Sequence, residues 1–196
     1  MKRSKSQIIA VTGGIGSGKS FLGNVAERNG FIVIDTDGLS REAVKSKKVT
    51  SKLKRTFGKD IYIEAGLNRM KLSSIVFNDK TKLELLNLIM FPAVDRLLKK
   101  ELKKHKKEKT VFVQIPLLFE CGSRIKFDKV WLILSDEKIR IERAAKRDHL
   151  NEEEVIKRIR SQINYNEKAE LAHTVLYNNG TQEEFAESIK ELLKTL

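Results

Sequence analysis

Residues Gly13-Gly14-Ile15-Gly16-Ser17-Gly18-Lys19-Ser20 spell G-x-x-x-x-G-K-[ST], a complete phosphate-binding loop. Glycines let the backbone wrap closely around phosphate oxygens, and successive N–H groups then form an anion nest. A helix beginning at the end of the loop adds its positive dipole end. Lys19 is long enough to reach β- and γ-phosphates, and the Ser20 hydroxyl suits a Mg²⁺ that bridges them. Phe21 follows directly, so the ATP-binding reading takes in every residue from Gly13 to Phe21.

Other residue types with chemical capacity sit after later apolar segments. Asp35-Thr36-Asp37 ends the second one, and in an open α/β sheet ligands sit at the carboxyl ends of strands. Two carboxylates there suit Mg²⁺ or acceptance of a proton from an attacking hydroxyl; equally, Asp37 suits the start of the next helix. Asp35-Thr36-Asp37-Gly38 also matches D-x-x-G, but no N-K-x-D motif follows, which argues against a GTPase. The third segment ends in Gln114-Ile115-Pro116 without a Walker-B acid, which argues against a nucleic-acid-stimulated ATPase. After it comes Pro116-Leu117-Leu118-Phe119-Glu120, where Glu120 suits a substrate hydroxyl, Mg²⁺ or plain solvent.

Arg140, Arg143 and Arg147 recur at i, i+3 and i+7 on one side of a helix, with Arg158 and Arg160 on the next. Guanidinium forks match phosphate oxygens, and phosphoryl transfer asks the protein mainly to position groups and neutralise charge. Beside a phosphate loop, Arg143 and Arg147 are the candidates for that duty; a salt-bridged surface with Asp136, Glu137 and Glu142 is the alternative. Asn178-Asn179-Gly180 reads as a turn that can also contact a purine ring. His105, His149 and His173 lack metal-ligand spacing, and Cys121 reads as a bystander thiol.

These residues need a frame, and the hydropathy pattern supplies one. Apolar strands fall at 7–12, 31–35, 110–115, 129–134 and about 174–177. Their near-continuous apolar character predicts parallel strands covered on both faces. Helices are expected at about 18–29, 38–47, 69–77, 80–106, 136–147, 151–168 and 182–195, with Pro92 breaking or kinking the fourth. Thr181 and Glu184 form a capping box ahead of the stripe Phe185, Ile189, Leu192, Leu193 and Leu196. The stretch between the second and third strands far exceeds a simple crossover, and it reads as a helical insert able to hold a second substrate.

The chain has 196 residues, 40% hydrophobic and 33% charged, enough for one α/β domain with an insert and a lid. No apolar run is long enough to span a membrane. The basic start Met1-Lys2-Arg3-Ser4-Lys5 leads into the first strand rather than a cleavable apolar region. One cysteine fits a reducing cytosol. The net charge of +13 invites a nucleic-acid reading. Its densest run, Lys99 to Lys109, has no interleaved aromatics and reads as a solvated helix end.

Taken together, these segments resemble the dephospho-CoA kinase family over nearly the whole chain. The resemblance is carried by Val11 to Ser20, Ile34-Asp35-Thr36-Asp37 with Arg41, Phe77, Pro116-Leu117-Leu118-Phe119-Glu120, Arg143 with Arg147-Asp148, Gln162, and Asn178-Asn179-Gly180. It implies an α/β, three-layer P-loop kinase fold with a five-stranded parallel sheet. A single domain spans 1–196, with a helical acceptor-binding insert at about 38–109 and a lid at about 140–165. It further implies a cytoplasmic enzyme, monomeric or a weak homo-oligomer, with ATP as co-substrate, Mg²⁺, and neither nucleic acid nor membrane as partner. ATP donates its γ-phosphoryl to the ribose 3′-hydroxyl of dephospho-CoA. Asp37 is the implied general base and, with Ser20, a metal ligand. Lys19, Arg143 and Arg147 stabilise the transferring group. Asp37, Arg41, Pro116, Leu117 and Glu120 bind the acceptor, and Asn178 and Asn179 lie near the adenine. The chain departs from the family pattern at Phe91-Pro92, where His-Pro is usual, and at His173 and Tyr177, where Asp is frequent. A related nucleoside or nucleotide kinase with another acceptor, and a basic nucleic-acid-binding protein on an ATP fold, are the competing readings.

Overall fold

A computed structural model describes residues 6–76, 79–116, 118–121, 123 and 125–196. The chain divides into two compact units: Met1–Asp35, Leu102–Gly122 and Lys126–Leu196 form the first, and Thr36–Glu101 with Ser123–Ile125 form the second.

The first unit is built on five strands: β1 (Gln7–Gly13), β2 (Ile32–Asp35), β5 (Thr110–Gln114), β6 (Lys129–Leu134) and β7 (Thr174–Tyr177). They lie in the order β2-β5-β1-β6-β7, and every pairing is parallel. Each expected strand is present, with ends shifted by a residue or so. Parallel neighbours need crossovers, which here are α1 (Lys19–Arg28), α6 (Leu118–Cys121), α7 (Glu137–Asp148) and α8 (Glu152–Arg160), while α9 (Gln182–Leu193) closes the chain.

Side chains alternate across a strand, so each strand feeds two cores. Trp131 and Ile133 of β6 join Ile9, Val11, Phe112 and Leu176 with α1 and α9 on one face. Leu132 and Leu134 turn the other way, toward Tyr165 and Ile163. Phe112 lies 5.1 Å from Trp131 and 5.5 Å from Phe31 between ring centroids, geometry that adds to plain area burial. The Thr181–Glu184 capping box is formed in both directions, with Glu184 N–H to Thr181 Oγ1 at 3.2 Å and Thr181 N–H to Glu184 Oε2 at 2.8 Å.

The second unit is mostly helical. It holds α2 (Thr36–Ala43), α3 (Lys47–Phe57), a short hairpin of β3 (Tyr62–Ile63) and β4 (Gly66–Leu67), α4 (Arg69–Val76), and α5 (Lys80–Lys104) as far as Glu101. Its own core gathers Ala43, Val49, Leu53, Ile61, Leu72, Val76 and Ala93. Three expectations differ here and nearby. The helix expected at 38–47 ends at Ala43, and α3 and the hairpin were not anticipated. Of the break or kink expected at Pro92, the break does not occur, since α5 runs on through the proline. Apolar neighbours on both sides of the proline (Leu86, Ile89, Met90, Val94, Leu97) pack into this core, which offsets the ~3 kcal/mol that an interior proline costs. The helix expected at 151–168 stops at Arg160 and gives way to a 3₁₀ turn at Asn166–Leu171.

Candidate active site

The phosphate loop joins β1 to α1, with Gly16 and Gly18 at φ 75° and 108°, a region that L side chains avoid. Space is closed as well. A Cβ on Gly16 would run into the main chain of Arg140, and one on Gly18 into the Asn178 amide. Ser17 N–H donates to Gly14 O at 3.2 Å, folding the loop back on itself.

The loop is held from two flanks. On one flank is the turn after β7: Asn178, 5% exposed, donates from Nδ2 to Ser17 O at 2.8 Å. The Asn178 carbonyl accepts from Ser135 Oγ at 2.8 Å and from Arg143 Nη1 at 2.9 Å, while Arg143 Nη2 donates to Gly180 O at 3.3 Å. On the other flank are α7 and the end of α8. The Ile15 side chain packs on Ala144, Val155 and Ile159, Ile15 N–H donates to Gln162 Oε1 at 2.8 Å, and the Arg140 guanidinium lies against Gly14. Burial of Arg140 pulls its pKa below the usual arginine range, with Glu137 opposing that shift; a guanidinium still stays charged.

Lys19 donates from Nζ to Gly13 O at 2.5 Å and to Gly14 O at 3.1 Å, so its cation already sits over the first turn of the loop. Gln114 Nε2 donates to Lys19 O at 2.9 Å and fixes the start of α1. The neighbouring Ser20 is exposed. Among the described residues there is no group of three or more His, Cys, Asp or Glu able to cage an ion. The exposed Ser20 hydroxyl is an oxygen donor of the kind Mg²⁺ takes beside phosphates and water.

The remaining candidates fall at several places. Phe21 stacks on Phe185 at 5.8 Å and belongs to the sheet-side core. Arg147 makes a bidentate pair with Asp148, at 2.7 and 2.8 Å, which holds the Asp148 carboxyl below its ordinary range. Asn179 caps α7 reciprocally: Asp136 N–H donates to Asn179 Oδ1 at 2.9 Å, and Asn179 Nδ2 to Asp136 Oδ1 at 3.0 Å. The Tyr165 hydroxyl donates to Pro116 O at 2.8 Å and also contacts both Glu120 oxygens, at 3.1 and 3.2 Å. Asp37 and Arg41 belong to the second unit, in the first and last turns of α2 and one helical turn apart. Asp37 follows the last residue of β2 by two positions. Phe77 and Leu117 lie outside the described residues.

A cleft of about 460 Å³ opens at the carboxyl ends of β6 and β7, lined by Ser135, Asp136, Arg140, Arg160, Gln162 and Tyr177, among others. Of the departures from the resembled family, Tyr177 is exposed on this cleft, and His173 precedes β7 at its opposite end, its Nδ1 accepting Val130 N–H at 3.2 Å. Phe91 lies within α5.

Sequence reasoning passed over Tyr165 and the contacts of Gln114, Arg140 and Gln162 with the loop. The signal for Tyr165 was slight: one aromatic, 3% exposed, inside the polar run Asn164-Tyr165-Asn166-Glu167.

A family model described as dephospho-CoA kinase matches residues 7–184 of this chain. A dephospho-CoA kinase of Fusobacterium nucleatum is 36% identical over 190 residues, spanning 96% of this chain and 98% of the relative. Among solved structures, a protein of Thermus thermophilus is similar with a TM-score of 0.85 and 35% identity, over 98% of this chain and 99% of that one. A dephospho-CoA kinase from Campylobacter jejuni is similar with a TM-score of 0.71 and 25% identity, over 95% of each chain.

Proposed function

The chain belongs to the dephospho-CoA kinase family, and on that premise we propose that it transfers the γ-phosphoryl group of ATP to the ribose 3′-hydroxyl of dephospho-CoA, giving coenzyme A and ADP. The observation that carries the reading is the intact phosphate loop, with Lys19 poised on its first turn, in a chain that matches the family from residue 7 to residue 184.

Asp37 accepts the proton of the attacking hydroxyl as the oxygen bonds to the γ-phosphorus and the β–γ bridging bond breaks toward ADP. An exposed carboxylate just past a strand end is the residue type for this work. Lys19 adds phosphate oxygens to its carbonyl acceptors. Arg143 exchanges two neutral carbonyls for anionic oxygens, a favourable trade because charge-assisted hydrogen bonds are the stronger ones. Arg147 serves the same group. Mg²⁺, held by Ser20 and Asp37, neutralises phosphate charge when bound. Asn178 and Asn179 border the adenine, and Gly13 to Phe21 form the ATP site. Arg41, Pro116, Leu117 and Glu120, with the insert at about 38–109, hold the acceptor, and residues of about 140–165 close as a lid.

We read the protein as a cytoplasmic monomer or weak homo-oligomer acting on a small molecule, with neither nucleic acid nor membrane as partner. No helix of the described residues is long and apolar enough to cross a membrane.

The test is Mg²⁺-ATP turnover with dephospho-CoA beside adenosine, AMP and shikimate, with the product identified by mass. Strong preference for CoA formation supports the reading. Phosphorylation of another acceptor in its place would overturn the substrate, and salt-sensitive polyanion binding without turnover would overturn the enzyme.

A further inference from the structure

One peptide of the phosphate loop is gripped at both ends. The Gly14 carbonyl accepts from Lys19 Nζ at 3.1 Å, and the N–H of the same peptide, that of Ile15, donates to Gln162 Oε1 at 2.8 Å. A trans peptide is a rigid plane with its C=O and N–H directed oppositely, so a hold on the N–H sets the direction of the carbonyl. That carbonyl, which also accepts from Ser17 N–H at 3.2 Å, is one of two on which the Lys19 ammonium rests, the other being Gly13 O at 2.5 Å. The two bonds also run in series through one amide, and hydrogen bonds in series polarise each other.

The surroundings make this grip specific. A Cβ on Gly14 would run into the Arg140 guanidinium and come within ordinary contact, 3.4 Å, of Gln162 Oε1, so the glycine leaves room for the arginine beside the glutamine. The Ile15 side chain packs against Ala144 of α7 with Val155 and Ile159 of α8, and Gln162 follows the latter helix by two residues, tied to it by Gln162 N–H to Ile159 O at 3.1 Å. Helix α8 therefore meets Ile15 at its side chain, together with α7, and through Gln162 at its peptide.

We propose that Gln162 is a positioning residue for phosphoryl transfer: by orienting the Gly14–Ile15 peptide it sets Lys19 for the phosphates and ties that lysine to α8. The proposal rests on the ATP-dependent reading above, and it assigns Gln162 an action through Lys19 rather than on substrate.

The experiment is a double-mutant cycle on ATP affinity, measured by calorimetry without acceptor, using wild type, Gln162→Met, Lys19→Met and the double variant. Methionine keeps the length and volume of glutamine but removes the acceptor. Gln162→Met is expected to weaken ATP binding about 2- to 12-fold, the range of one net hydrogen bond, and to lower kcat as well. In the Lys19→Met background the same change is expected to cost less than about 2-fold, because the lysine through which it acts is gone. If Lys19→Met binds ATP too weakly for direct calorimetry, the affinities in that background are read by displacement of a fluorescent ATP analogue at higher ATP concentration. Equal cost in both backgrounds would overturn the proposal, as would wild-type ATP affinity and kcat in Gln162→Met. A purely structural role would lower the melting temperature and leave the two changes additive. Because the cycle reads ATP alone, failure of wild type to make CoA would sink the acceptor assignment and leave this test standing.

Discussion

Exchanging the Asn178 amide for a carboxylate isolates what this turn does for the phosphate loop. Asn178 is 5% exposed, and its Nδ2 donates to Ser17 O at 2.8 Å. Asn178→Ala removes that donor and leaves the Ser17 carbonyl with a longer bond from Ser135 Oγ, at 3.4 Å. Loss of a buried partner costs about 1–3 kcal/mol, and for a chain of this length each kcal/mol lowers Tm by about 2–4 °C. The expected drop for Asn178→Ala is therefore about 2–12 °C. Asn178→Asp should cost more at neutral pH, because it sets an anionic acceptor against a carbonyl acceptor in a site with little water. Burial and the facing carbonyl both raise the folded-state pKa of the introduced carboxyl above its unfolded value of about 4. Its penalty is thus complete above the folded pKa and shrinks as pH falls toward the unfolded one, where the neutral acid can donate as the amide did. Melting curves of the three proteins between pH 8 and pH 4.5 should show Asn178→Asp below Asn178→Ala at the alkaline end and converging with wild type at the acid end. Asn178→Asp as stable as wild type at pH 8, or a deficit that does not depend on pH, would refute the assignment of this bond. ATP affinity should track the same order, since the Ser17–Gly18 peptide is part of the anion nest.

Asp37→Asn should keep the wild-type melting temperature and lower kcat about 10²- to 10⁴-fold, the usual contribution of a general base, with ATP affinity little changed; near-normal kcat in steady-state assays would remove Asp37 from that role. Gly16→Ala should abolish ATP binding by calorimetry, because the new methyl group meets the main chain of Arg140 and the residue must also hold φ 75°. Asp148→Asn should flatten the acid limb of stability against pH. Arg147 holds the Asp148 carboxyl below its ordinary range, so the stability it adds is complete above about pH 4 and lost as pH falls through its lower folded value. Denaturant titrations at pH 7 and pH 3 measure that slope, and because Arg147 is 61% exposed the effect should be well under 1 kcal/mol.

What was legible in the sequence depended on how local the governing physics is. β6 could be read to the residue because Lys129 opens a continuous apolar run, 130–134, whose alternate side chains meet two cores. The α9 start was legible because Thr181 and Glu184 satisfy each other within one turn. The α3 helix was not, since only Val49 and Leu53 of its eleven residues are buried, too narrow a stripe to stand out among lysines and threonines. The end of α8 was misplaced because Asn164 Oδ1 accepts Asn166 N–H at 3.1 Å, a local bond that competes with the helix ladder. At Pro92 the local cost was plain, and the apolar packing on either side that keeps the helix unbroken was not.

The candidate site divides along the same line. A phosphate loop is contiguous, so its eight residues announce themselves by spacing. The groups that hold it do not, because Gln162, Arg140 and Asn178 arrive from elements more than a hundred residues away, and nothing in their own neighbourhoods marks Ile15, Gly14 or Ser17 as their targets. Yet the loop carries an imprint of them. A phosphate needs glycines where the backbone turns through positive φ, as at Gly16 and Gly18, but Gly14 is not in that region. The space a Cβ would take there is filled by the Arg140 guanidinium, with the Gln162 amide in ordinary contact beyond it. The loop glycines thus make room for flanking side chains as well as for phosphate, and the motif read as contiguous is one part of a longer-range assembly running from Lys19 through a single peptide to α8.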